Sequence, residues 1–258
     1  LRVNRSTYYK HFSKIPAKRI LDNQEISRMI LHIHADYDKR LGAYKVAYVL
    51  KRDYGINISV GRVYRLMDKL DLPKMSTDKP KQRYRSLDTA MLKNHLSQAF
   101  SQKAPNLVWA SDFTYLKAGG RWYYLCIVMD LFSRKIISWH LSPKADVDLV
   151  MTAFKLAYHK RDVTYGLMFH SDRGSQYTAF AFQKLLDELN VVHSFSKKGY
   201  PFDNACCECF FKYLKKEETN RRTYHSFEEL RLAVFQYIDG YYNSRRPHST
   251  LNMLTPNE

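Results

Sequence analysis

Three acidic residues in the second half of the chain have types and positions suited to chemistry. Asp112 sits inside a strand-forming run, W-A-S-D-F-T-Y (109–115). A carboxylate there is costly unless it is paired, hydrogen-bonded or bound to a metal. Asp172 lies just past a short apolar run, in H-S-D-R-G-S-Q-Y (170–177). Strand ends in sheets of this kind are where sites collect. Glu208 falls in the first turns of a helix within D-N-A-C-C-E-C-F-F-K-Y-L-K-K-E (203–217), with 35 residues between it and Asp172. Singly, a strand-end Asp reads as a turn residue and a helical Glu as a solvated one. Together they form a set of hard oxygen ligands, the kind that suits a small divalent cation.

The elements that must position these residues follow from periodicity. Leu107 to Leu116 is rich in aromatic and β-branched residues and reads as a strand, and Gly119-Gly120 reads as a hairpin turn. Tyr123 to Phe132 reads as a buried central strand, and Lys135 to Leu141 as a third. A helix carrying Val147, Val150, Met151, Phe154 and Ala157 follows. Then come a strand at Leu167 to His170, a helix at about 179–189, a strand at Val191 to Phe195 and a helix from about 205. Hairpin-joined strands followed by alternating strand and helix imply an α/β mixed sheet flanked by helices. Residues 226–242 read as an amphipathic helix with Leu230, Val234, Tyr237 and Ile238 inward, and Ser226 with Glu229 as its capping box.

The first half differs in both pattern and charge. Of 258 residues with a formal net charge of +17, residues 1–105 carry +13 and residues 106–258 carry +4. A basic front half on a near-neutral back half points to nucleic acid as partner. Asp22 or Asn23 caps a helix whose apolar residues are Ile26, Met29, Ile30 and Ile33. A second helix at about 42–53 turns Ala43, Val46, Ala47 and Leu50 inward and ends at Gly55. A third helix, capped by Ser59, buries Val60, Val63, Met67 and Leu70 and presents Arg62, Arg65 and Lys69. This is an all-α helix-turn-helix arrangement, in which a cationic helix fits the major groove. The stretch 73–86 follows, with Lys81, Arg83 and Arg85 among polar residues and prolines, as an extended linker able to track phosphates. The expected division is a basic arm at 1–20, the DNA-binding domain at 21–72 and a basic linker at 73–104. A catalytic core at 105–222 and a C-terminal helix and tail at 223–258 complete it.

Other classes are excluded or disfavoured. No run of about 18 apolar residues exists, so no membrane span is expected. The first residues lack the apolar region of a signal peptide and there is no initiator Met, so a fragment or part of a longer fusion is expected. Four cysteines do not make a disulfide framework at this size, and a reducing, cytoplasmic setting is expected. Cys206 and Cys209 form C-x-x-C, but a zinc site needs four ligands and no second cysteine pair exists.

The three carboxylates resemble the pattern of the DDE transposases and retroviral integrases. The strings H-S-D-R-G-S-Q-Y, G-Y-P-F-D-N-A (199–205), the helix bearing Glu208, Phe210, Phe211, Leu214 and Lys215, and Y-N-x-R-R-P-H-x-x-L (242–251) are similar to those of bacterial insertion-sequence transposases of the frameshift-fusion type. The resemblance implies a ribonuclease H-like integrase core preceded by a helix-turn-helix domain. It implies Asp112, Asp172 and Glu208 as catalytic triad and metal ligands. The cofactor would be two Mg²⁺ ions, with Mn²⁺ able to substitute, and Asp112 would bridge them. Two ions about 3.5–4 Å apart activate the attacking oxygen and stabilise the leaving one. The implied activity is binding of insertion-sequence ends, 3′-end cleavage and strand transfer into target DNA by a homo-multimer assembled on double-stranded DNA. The alternative is a truncated, end-binding repressor of transposition.

The resemblance also places Lys215, seven residues after Glu208, against the element end; the other reading is a surface lysine in a K-K-E-E run. Arg245 and Arg246 belong to a basic loop that either closes over DNA or packs on the core. Asp130 is expected as a structural hydrogen-bonding residue and Asp203, with Asn204, as a helix cap. His170 and Arg173 either touch phosphate or, for His170, satisfy the core.

Overall fold

The computed structural model describes residues 4–5, 8–9, 18–72, 92–163, 166–197 and 199–258, with Pro201 placed by its backbone only. The chain divides into two compact units, Leu1–Asp78 and Lys79–Glu258.

In the first unit, α1 (Lys18–Asp36), α2 (Ala43–Tyr54) and α3 (Val60–Lys69) pack together. Their buried residues recur at helical spacing: Ile26, Ile30 and Ile33 on α1, Val46, Val49 and Leu50 on α2, Val63, Leu66 and Met67 on α3. Gly55 ends α2 in the left-handed region (φ 67°), donating its N–H to the Leu50 carbonyl. Ser59 Oγ caps α3 by accepting from the Arg62 N–H. Two expectations change. α1 begins at Lys18, upstream of Asp22 and Asn23, and Asn23 Oδ1 is used instead by the Arg62 guanidinium at 2.8 and 3.0 Å. Val60 is 40% exposed, and Leu66, one turn and a half further on, fills the core.

The second unit is a five-stranded sheet in the order β3-β2-β1-β4-β5. Its strands are β1 (Val108–Ala118), β2 (Arg121–Asp130), β3 (Ile136–Ser142), β4 (Met168–Ser171) and β5 (Val192–Phe195). The middle strand is therefore β1, with β2 interior beside it. β1 and β2 pair antiparallel through the Gly119-Gly120 turn, both glycines at positive φ (52° and 76°). A Cβ on Gly119 would come within 2.8 Å of the His225 carbonyl oxygen, so only glycine fits. β4 and β5 join in parallel. Two intervening helices, α4 (Val147–Lys160) and α5 (Phe180–Glu188), supply the crossover mass that parallel pairing needs.

α4 packs on β2 and β3. The core there joins Trp109, Cys126 and Val128 from the sheet with Val150, Phe154 and Phe182 from the helices and Tyr177 from a single turn at Ser175–Thr178. Phe154 meets Phe169 and Phe182 edge to face at 5.2 and 5.8 Å. Cys126 and Val128 face this cluster, so Leu125 and Ile127 point to the other side of the pleat. α6 (Ala205–Leu214) packs on β1 and continues into a widened turn, Lys215–Thr219. α7 (Phe227–Phe235) is capped by Ser226 Oγ, while Glu229 reaches back to the His225 N–H. α7 also widens, over Gln236–Tyr242, and Asn243 then clamps β3 by pairing with both the N–H and the carbonyl of Ile136 at 3.0 Å.

Residues 92–98, expected at the end of the linker, are tied onto the core. His95 and Leu96 N–H groups donate to Ser194 Oγ, and the Asn94 and Gln98 amides donate to Asp203.

Candidate active site

The sheet register brings two of the three carboxylates together. β4 runs parallel to β1 with Ala110 opposite His170. Two residues further along the same direction stand Asp112, inside β1, and Asp172, immediately after the carboxyl end of β4. Asp112 Oδ1 accepts from its neighbour's N–H, Phe113, at 2.8 Å. Asp172 Oδ1 accepts from Gly174 N–H at 2.9 Å, and a Cβ at Gly174 would sit 3.0 Å from that oxygen. Behind Asp172, Ser171 Oγ donates to the Asp172 carbonyl and meets His193 Nε2 at 2.9 Å.

Glu208 approaches from α6, whose packing on β1 is fixed by Asn204 Nδ2 donating to the Ser111 carbonyl at 3.1 Å. The Glu208 side chain is exposed. Its charge nonetheless reaches Asp112, whose carboxyl is pushed up to about 8. Burial is the main cause, then the charge of Asp172; the Phe113 N–H opposes, Glu208 adds, and Lys215 draws it back. Burial also raises Asp172, against the Gly174 N–H, and partial desolvation raises Glu208. The donor chemistry, three carboxylates with one lysine acting on Asp112, fits a hard divalent cation. Among the described residues no three His, Cys, Asp or Glu side chains stand close enough together to hold a metal ion.

The surrounding residues divide into structural and accessible. Asp130 is fully buried and accepts from the Asn106 and Phe132 N–H groups. Asp203 does not cap α6. Its oxygens accept from Asn94, Gln98 and the Lys197 N–H, each at 2.8 Å, while Asn204 is spent on β1. His170 is enclosed among Ser194 Oγ, Ser196 Oγ and the Asp203 carbonyl, and burial pulls its imidazole down to about 4, so it is a core histidine. Arg173 is turned inward onto the carbonyls of Ser196 and Leu92.

Arg246 requires a correction. It is 2% exposed, and its guanidinium grips Glu217 at 2.8 and 2.9 Å while lying over the Tyr213 ring at 4.1 Å. A guanidinium so enclosed holds the tail against α6 and is not presented to a phosphate. Arg245, beside it, is exposed, as are Arg65 and Lys69 on α3. Arg62 is half-buried against Asn23. Lys81, Arg83 and Arg85 lie outside the described residues. Lys215 is half-buried with Nζ 4.8 Å from the centre of the Tyr115 ring, and desolvation lowers its ammonium, opposed by the charge of Asp112. Tyr115 and Trp122, which form the ground around Lys215, were not singled out by motif reading. Their signal was the outward alternation of Tyr115 and Lys117 along β1.

Known proteins place this arrangement. Residues 102–201 and 189–256 match the integrase core domain family, and residues 21–79 match an HTH-like domain. The transposase for insertion sequence element IS904 of Lactococcus lactis is 35% identical over 244 residues, which are 94% of this chain and 96% of that one. Transposase InsF for insertion sequence IS3fB of Escherichia coli is 38% identical over 175 residues, 68% of this chain and 61% of that one. Among solved structures, a chain of the simian T-cell lymphotropic virus intasome is similar at 16% identity and a TM-score of 0.47, over 88% of this chain and 72% of that chain. No helix among the described residues is long and apolar enough to cross a membrane. With an HTH-like domain preceding an integrase core domain, the chain belongs to the insertion-sequence transposases, DDE-type polynucleotidyl transferases.

Proposed function

We propose that the protein binds the ends of an insertion sequence and catalyses Mg²⁺-dependent 3′-end cleavage and strand transfer, with Asp112, Asp172 and Glu208 as the catalytic set. The observation that carries the reading is the electrostatic state of Asp112. It is a strand carboxylate beside a second carboxylate, its pKa raised by burial and by the charge of Asp172, with Lys215 the cation that acts against them. Folding tolerates that cost when the function requires the missing charge to come from outside. Mg²⁺ held there would supply Lewis-acid stabilisation of the in-line displacement. Asp112 on β1 and Asp172 just after β4 present their oxygens, oriented by the Phe113 and Gly174 N–H groups. Glu208 closes over them from α6. Lys215 lies at the margin of the site, where its charge is felt by Asp112 and can hold a phosphate of the bound end.

For the DNA itself, Arg65, Lys69 and the half-buried Arg62 on α3, with Lys81, Arg83 and Arg85 beyond it, are the contacts proposed for reading and tracking the element end. Joining two ends requires more than one copy, so a homo-multimer on DNA is part of the reading. Pre-cut element ends incubated with target DNA and Mg²⁺ should give joined products that Asp112→Asn abolishes. End joining by that variant at the unsubstituted rate would refute the assignment. Specific end binding without cleavage by the unsubstituted chain would instead mark an end-binding repressor.

A further inference from the structure

The β1–β2 hairpin carries a feature that the three carboxylates do not use. Beyond Asp112, β1 presents Tyr115 and Lys117 outward, and Trp122 is the second residue of β2. Tyr115 and Trp122 are 58% and 52% exposed and meet edge to face at 5.2 Å. Together with the Gly119-Gly120 turn and the widened turn after α6 they line a cavity of about 580 Å³. That volume lies within the range of small-molecule sites. Its lining holds three cations, Lys117, Lys215 and Arg222, and no carboxylate. Lys117 Nζ lies 5.8 Å from the Trp122 ring, Lys215 Nζ 4.8 Å from the Tyr115 ring, and Arg222 Nε 3.5 Å from Glu218.

We propose that this cavity is a nucleotide subsite that stacks an unpaired base of the bound DNA on Tyr115 and Trp122, with the adjoining phosphate on Lys215 and Lys117. The inference rests on the DNA reading above and deepens it. Aromatic rings kept half in water near a hairpin tip are costly to a fold and useful to a base, since every base has a π-face and none is available in an intact duplex. The cations on those rings can swing to a phosphate when a base takes their place. Charge complementarity selects a polyanion, and the absence of any carboxylate removes the repulsion it would meet. Continuity with the acidic site comes through Lys215, which touches the cavity and whose charge also acts on Asp112. A strand end entering the site would therefore have its neighbouring unpaired nucleotide held a few residues along β1. The closed floor helps: Gly119 donates its N–H to the Tyr224 carbonyl at 2.9 Å, fixing the hairpin tip against the segment before α7.

The test is the binding of the full chain to a blunt duplex and to the same duplex with a short unpaired thymidine tail, at the 3′ end in one arm and the 5′ end in the other. A tail carrying 2-aminopurine serves as stacking reporter. One of the tails should raise affinity about tenfold or more, with quenching of the reporter. Tyr115→Ala and Trp122→Ala should lose that gain yet bind the blunt duplex as the unsubstituted chain does, and Trp122→Phe should keep most of it. Both rings are exposed, and unchanged melting of each variant establishes that the fold is kept. Equal affinity for blunt and tailed duplexes, or a gain that survives both alanine variants, overturns the subsite while leaving the DNA reading intact. No binding to either duplex overturns both.

Discussion

Glu208 and Glu217 stand nine residues apart on one continuous helical run and meet opposite fates. Glu217 is buried, and the chain compensates it completely: Arg246 binds it through two nitrogens and the Tyr237 hydroxyl donates at 2.8 Å. Burial lowers the Arg246 guanidinium, but the hydrogen bonds and charge of Glu217 outweigh this and leave its pKa raised. Glu208 is exposed and its charge acts on Asp112, and no arginine reaches Asp112, Asp172 or Glu208 among the hydrogen bonds and ion pairs found for them. The difference separates carboxylates that build the fold from carboxylates kept for a cation from outside. The first kind is neutralised within the chain at the time of folding, whereas the second is left strained until something binds.

The largest consequence concerns activity. Asp112→Asn should reduce strand transfer on the order of a thousandfold, by removing an oxygen ligand from the displacement, with no loss of melting temperature. Arg246→Ala should do the reverse. It strands Glu217 in the interior and should cost about 3–5 kcal/mol of stability in denaturant unfolding. The double change Glu217→Gln with Arg246→Met should recover most of that loss, and if it does not, the pair is not what holds the tail to α6. A smaller effect is expected for Lys215→Ala: weaker DNA binding by several-fold, and a salt dependence of the affinity shallower by about one ion.

The pH dependence sharpens the same contrast. Asp112 in the folded, metal-free protein keeps its proton up to about 8, while in the unfolded chain it loses it near the ordinary carboxylate value. The folded state thus binds more protons between those values, so this group makes metal-free stability fall as pH rises from about 4 to about 8. His170 and His193, pulled by burial down to about 4 and about 3, act in the opposite sense. They make stability fall as pH drops below the ordinary imidazole value. Comparing the melting of Asp112→Asn with the unsubstituted chain across this range isolates the carboxyl. The substituted protein should gain on the original as pH rises toward 8, and a constant difference would show that Asp112 is not held protonated.

Much of the architecture was legible because the signals are local. The Gly-Gly turn, the strand alternation around Asp112 and the inward residues of α2, α4 and α7 need only a few neighbours to decide them. The helix-turn-helix unit and the sheet with its flanking helices followed from the same periodicities. The tail was less legible. R-R-P-H looks like an exposed basic loop, because the partner of Arg246 lies 29 residues earlier and is itself inside a charge run, K-K-E-E, that suggests solvent. Asp203 before a helix looks like a cap, but its acceptors were claimed by Asn94 and Gln98, more than a hundred residues away. The start of α1 was misplaced for a related reason, since Asn23 was already engaged by Arg62 across the unit. In each case a side chain with good local options was taken by a distant one that burial made more urgent.

The central claim is that Asp112 and its two neighbours, with Lys215 as the protein cation acting on Asp112, leave charge for a divalent ion to balance. Its most direct test is thermal melting of the unsubstituted chain and of Asp112→Asn at pH 8, each titrated with Mg²⁺. The account predicts that Mg²⁺ raises the melting temperature of the unsubstituted chain by about a few degrees and leaves Asp112→Asn unmoved. Equal shifts in both proteins, or none in either, would contradict it.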